Sequence, residues 1–170
     1  FLGPSLANYS KDLVSENLYV GSYLSLAVLT FIPTILFLFY ESKTINKENI
    51  KYTGRSYLEL ISQPRFIQAL AASAFGYAIM TFLMTATPIS MHVMEKMSLS
   101  KTGFVIQFHV ASMFLPSLVT GHLIKKIGHS NVIYIGIFFY SITLFISIFD
   151  QTFFNYLFAL IFLGIGWNFL

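Results

Sequence analysis

The chain has 170 residues, of which 56% are hydrophobic, 18% aromatic and only 10% charged, with a mean hydropathy of +0.72. A soluble domain carries about 25% charged residues, so this composition excludes an ordinary soluble globular protein and points to the membrane. The net charge of +3 is too small to argue for a nucleic-acid partner, and the absence of Cys excludes disulfides, thiol chemistry and cysteine-based metal sites.

Residues 1–18 hold Gly3, Pro4, Lys11, Asp12 and Glu16 and read as a helix end followed by an external polar loop. Residues 19–40 are uncharged and form the first predicted transmembrane helix, with Pro33 expected to kink it. Residues 41–65 are the longest polar segment, and within them Tyr57, Leu58, Leu60 and Ile61 suggest a short interfacial helix. The next predicted spans are 66–94, 103–124, 132–149 and 153–170, joined by short turns that include the hairpin 125–131. No Asp, Glu, Lys or Arg falls inside any of the five apolar runs. An all-α polytopic membrane helix bundle is therefore expected.

The basic residues set the orientation. Lys43, Lys47, Lys51, Arg55 and Arg65 lie in 41–65 and Lys125 and Lys126 in 125–131, against Lys11, Lys96 and Lys101 on the other side. Two spans separate the two richer loops, so they share a side, and that side is predicted to be cytoplasmic. The chain begins FLGPSLAN with no initiator Met and ends in an apolar run with no flanking charge. An internal fragment of a longer membrane protein is expected, in a plasma (inner) membrane.

Four groups of residues are candidates for function. The hairpin Gly121-His-Leu-Ile-Lys-Lys-Ile-Gly128 has a glycine that lets the helix end approach a neighbour and another suited to a left-handed turn. Its lysines face the anionic leaflet, and the plain alternative is a topology determinant only. In 103–124, Gln107 and His109 are about 160° apart around a helix. His109 shares a stripe with Ser112, Met113, Pro116 and Thr120, small and polar enough to line a cavity, whereas Gln107 joins a packing face with Phe104, Ala111 and Phe114. His109 is thus a candidate for solute or proton binding, beside the alternative of a neutral histidine bonded to a neighbouring helix. In 66–94, Tyr77, Thr81, Met84, Thr85 and Pro88 fall on one face, as a hinge or cavity wall or as a kinked packing surface. Gly164 and Asn168, one turn apart, could share a cavity wall.

No span contains a carboxylate, and no phosphate-binding loop occurs, so neither a proton-relay acid nor an ATP-driven pump is expected here. Catalytic residues, metal ligands and cofactors are all expected to be absent. Beyond the bilayer, the expected partners are a small-molecule substrate and a coupling proton or ion, with no nucleic acid.

The glycine-basic hairpin between two membrane helices resembles the loop signature of major facilitator superfamily transporters. Gly121, Lys126 and Gly128 match it, while Lys125 replaces its acidic residue and His129, Ser130 and Asn131 replace its trailing basic ones. In that family the copy between the eighth and ninth helices is usually the degenerate one. The long loop 41–65 two spans upstream corresponds to the central loop joining two six-helix halves, and Gly3-Pro4 resembles the end of the fifth helix. The strings QPRFIQAL, MTATPISM, VIQFHVASMFLPSLVTGHLI and LGIGWNFL also look like a bacterial branch of the superfamily. The resemblance implies part of a twelve-helix fold, running from the end of helix five into helix ten. It further implies secondary active transport of a small solute by alternating access, the alternative being an integral membrane enzyme with its catalytic motif elsewhere.

Overall fold

The structure is a computed structural model that describes residues 3–14, 19–41, 54 and 56–170. The lysines at 43, 47 and 51 and Arg55 lie outside the described residues. Within the described part every regular element is helical. The helices are α1 (Gly3–Ser10), α2 (Val20–Leu38), α3 (Tyr57–Ile61), α4 (Pro64–Ile89), α5 (Leu99–Phe114), α6 (Ser117–Ile127), α7 (His129–Ile148) and α8 (Phe153–Phe169). A π-helical turn, Ser90–Met94, extends α4.

Local chemistry explains the boundaries. Ser56, Ser98 and Thr152 each accept a backbone N–H three residues on, at 3.2, 3.3 and 3.3 Å, and so cap α3, α5 and α8. Pro64 stands in the first turn of α4, where its missing N–H is harmless. Gly128 ends α6 and opens α7 with φ 83°, a backbone conformation that a side chain would strain.

Three helices are long and apolar enough to cross a membrane: α2, α4 with its π-turn, and α7. The pair α5 and α6 adds a fourth, bent by 40°, and α8 is apolar but shorter. The apolar run 103–124 is therefore two helices and not the single one expected. Pro116 has no N–H and its ring crowds the preceding turn, so the run of helical hydrogen bonds is interrupted at Leu115 and Pro116 although both keep right-handed helical dihedrals. Pro33 has no such effect, since α2 runs unbroken across it. At Pro88 the helix passes through and changes to π geometry immediately afterwards.

The core lies around α8, which sits between α5 and α7. Met91 of the π-turn, Val105 of α5, and Tyr156 and Leu160 of α8 form a buried cluster with Met84, Met97, Phe153 and Leu157 at its edge. Glycines set the spacing. A Cβ on Gly164 would overlap Ser112 Oγ and come within 2.6 Å of the His109 carbonyl, while one on Gly166 would lie 2.9 Å from the Gly136 carbonyl of α7. Positions two apart point to nearly opposite sides of a helix, so these glycines let α8 approach a neighbour on each side. The α1–α2 pair meets α5 through α1, where Gln107 donates to Ser5 Oγ. Periodicity separates Gln107 from His109, and the fold sends them to α1 and α8 respectively.

Candidate functional site

Side-chain hydrogen bonds between helices converge on α8 and the adjoining turns. His109 is fully buried, and its Nδ1 lies 2.8 Å from the Leu160 carbonyl. A carbonyl only accepts, so Nδ1 carries a proton, and in a neutral ring Nε2 is then the acceptor nitrogen. Nε2 is enclosed and meets no donor among the described residues. Ser112 donates to the His109 carbonyl at 2.7 Å, and Thr143 of α7 donates to the Ala159 carbonyl at 3.1 Å.

The bend between α5 and α6 is tied to the end of α8. Asn168 Nδ2 donates to the Met113 carbonyl at 2.7 Å. That carbonyl belongs to the last turn of α5, where intrahelical donors run out. Thr120 shares its hydroxyl proton between Asn168 Oδ1 at 2.6 Å and the Pro116 carbonyl at 2.8 Å. Gly164 and Asn168 do share a face, and that face is directed at α5 and α6.

The stripe on α4 divides in two. Met84 turns to the core, while Tyr77, Thr81 and Thr85 stay exposed on the same side as Ser73. Thr85 donates to the Thr81 carbonyl at 2.9 Å, the back-bond expected near Pro88. Tyr77 packs on Trp167 of α8, with ring centroids 6.0 Å apart and planes inclined at 53°. Nothing in the sequence singles out Trp167, because a lone Trp in an apolar run reads as lipid-facing or core. Tyr140 of α7 donates to the Gly76 carbonyl at 3.1 Å and fixes α4 at this level.

At the other end of α4, Ser90 and the Tyr156 hydroxyl are 2.6 Å apart. They border a cavity of about 150 Å³ that Thr87, Ser147, Asp150 and Asn155 also line. In the hairpin, Lys125 and Lys126 are exposed in the last turn of α6, where a cation meets the negative end of the helix dipole. Among the described residues no atom lies within 4 Å of the point a Cβ on Gly121 would occupy, so the close approach expected there is not made by any of them. Among the described residues no group of His, Asp and Glu side chains is placed to hold a metal ion.

The chain is 38% identical over 170 residues, 99% of its length, to the riboflavin transporter RfnT of Brucella anthropi. Over 93 residues it is 40% and 34% identical to YddS and YdeG of Bacillus subtilis, both described as uncharacterized MFS-type transporters. The chain belongs to the major facilitator superfamily. No family model matches the chain, and no solved structure matches it. It spans 42% of the length of RfnT and 21% of YddS and YdeG. As a superfamily member it is an integral membrane protein with an all-helical bundle fold.

Proposed function

We propose that the whole protein is a secondary active transporter, not an enzyme, that moves riboflavin or a solute with a similar flat ring system by alternating access. The similarity to a riboflavin transporter across 99% of the chain carries this reading. Transport by rocking about a midplane site needs helices that hold together within a unit while one face stays open to solute. The links into α8 support the first requirement, and the exposed Tyr77, Thr81 and Thr85 support the second.

His109 and Met113 belong to the bundle side of this arrangement, and Asn168 fixes the bend beside them. The acceptor Nε2 of His109 is a candidate stop for a coupling proton. A His109→Ala protein that keeps the wild-type transport rate and pH dependence would remove it from that role. The loops 41–65 and 125–131 face the cytoplasm in this reading, and the membrane is the plasma (inner) membrane. Energy comes from a coupling proton or ion, or from the solute gradient.

The test is uptake of radiolabelled riboflavin by proteoliposomes holding the whole protein, with and without an imposed pH gradient. Saturable uptake above that of empty vesicles is expected. Uptake equal to that of empty vesicles in both conditions rejects riboflavin as the solute.

A further inference from the structure

We infer that Tyr77 and Trp167 form a stacking platform for the flat, conjugated ring of the transported solute. The inference rests on the transporter reading above and assigns Trp167 a ligand contact. The observations concern how the two rings come together and what surface they leave.

Gly76 lies beside the end of α8: a Cβ there would stand 3.1 Å from Cδ1 of Leu170, a side-chain end one residue past α8, so that end packs next to the residue preceding Tyr77. The Tyr140 hydroxyl holds the carbonyl of Gly76 from α7. On α8, Asn168 adjoins Trp167, and both ends of its amide are engaged, by the Met113 carbonyl and the Thr120 hydroxyl. Each ring thus adjoins a residue tied to another helix, through the Gly76 carbonyl on α4 and the Asn168 side-chain amide on α8. Their mutual arrangement is preorganised, which limits the ordering cost of binding.

The surface is also the right kind. Tyr77 remains 59% exposed although it packs on Trp167, so one face of its ring is free. Within one turn of it on α4 the other exposed residues on its side are the small or hydroxylated Ser73, Ala74, Ala78 and Thr81, with Thr85 a turn further, whereas Phe75, Phe82 and Ile89 occupy an adjoining sector. Hydroxyls gain nothing from lipid, and intramembrane polar groups line pathways or packed interiors. The hydroxyl sector with its aromatic pair therefore faces the solute path and the phenylalanine sector faces lipid. An exposed ring stacks any flat conjugated system, as aromatic side chains do with nucleobases, and neighbouring hydroxyls suit a polar substituent such as a sugar-alcohol chain.

The experiment uses the whole protein in proteoliposomes with riboflavin as the probe. Trp167→Ala is expected to raise KM for uptake about 10-fold, the size of a lost stacking contact of ~1.4 kcal/mol, with kcat little changed. Trp167→Phe restores most of the affinity, and Tyr77→Ala repeats the KM effect if Trp167→Ala does not yield folded protein. Alloxazine, which has the ring without the chain, competes with riboflavin in the wild type and loses that competition in the Trp167 variant. An unchanged KM in both Trp167→Ala and Tyr77→Ala, with wild-type uptake intact, overturns the platform and leaves the transporter reading standing. Absence of riboflavin uptake by the wild type overturns both.

Discussion

Replacing Gly164 with alanine puts a methyl group into the closest contact between α5 and α8. Its Cβ would overlap Ser112 Oγ, lie 2.6 Å from the His109 carbonyl oxygen and lie 3.1 Å from the Met113 nitrogen. The serine can rotate away, but the two backbone atoms cannot. Restoring ordinary contact at 3.4 Å requires α5 and α8 to separate by about 0.8 Å at this level. The same movement stretches the His109–Leu160 hydrogen bond, now 2.8 Å, beyond useful length. Overpacking of this kind costs about 1–3 kcal/mol, and a lost interhelical bond in a membrane bundle adds roughly 0.6 kcal/mol. The intrinsic helix preference for alanine returns at most ~1 kcal/mol. A net loss of about 1–2 kcal/mol follows. The assay is thermal unfolding of the purified whole protein in detergent, with Gly121→Ala as the comparison, since its Cβ meets nothing within 4 Å. Gly164→Ala is expected to lower the Tm by several degrees and Gly121→Ala to leave it level or raise it. Equal Tm values for the two variants would refute the close-packing argument.

Other consequences can be checked separately. Tyr156→Phe keeps the buried ring but removes the 2.6 Å contact to Ser90, so amide exchange in Ser90–Met94 should quicken several-fold while α7 is unaffected. Cysteines replacing Ser5 and Gln107, which are hydrogen-bonded across the α1–α5 seam, should cross-link under mild oxidation, and mass spectrometry would detect the bridged peptide. No bridge would mean that the seam is misplaced. A cysteine replacing Ser130 should react with an impermeant maleimide only in inside-out vesicles, and one replacing Gln151 only in right-side-out vesicles. The reverse pattern would invert the orientation read from the lysines.

The helical class is plain in the sequence because apolar runs free of charge have few other physical outcomes. The turn at Gly128 is legible for a similar reason, since its φ of 83° is one that glycine alone adopts without strain. The prolines are not. Pro33 sits within an unbroken helix and Pro116 at a break, and the difference lies in partners far away in sequence. Asn168 supplies a donor where the backbone of α5 runs out of them, 55 residues from the carbonyl it meets, and Thr120 donates to its amide oxygen. His109 shows the same limit. Its stripe with Ser112 follows from periodicity, but what that stripe faces depends on Gly164 and Leu160 of α8. Tyr77 is visible as a face residue, yet its pairing with Trp167 requires knowing that the end of α8 packs beside Gly76 of α4.

The polar links around α8 share a property that bears on how freely this chain can change. His109, Thr143, Tyr140 and Asn168 all donate across the helix boundary to main-chain carbonyls, those of Leu160, Ala159, Gly76 and Met113. A carbonyl is present whatever residue carries it, so these bonds place demands on the donor positions only. In a saturation mutagenesis of the bundle, donors should accept few replacements. Leu160 and Met113 should take any side chain whose bulk fits, because exchanging them deletes no acceptor. In these four links, unlike the side-chain pairs Thr120–Asn168 and Ser90–Tyr156, one half lies beyond the reach of point mutation.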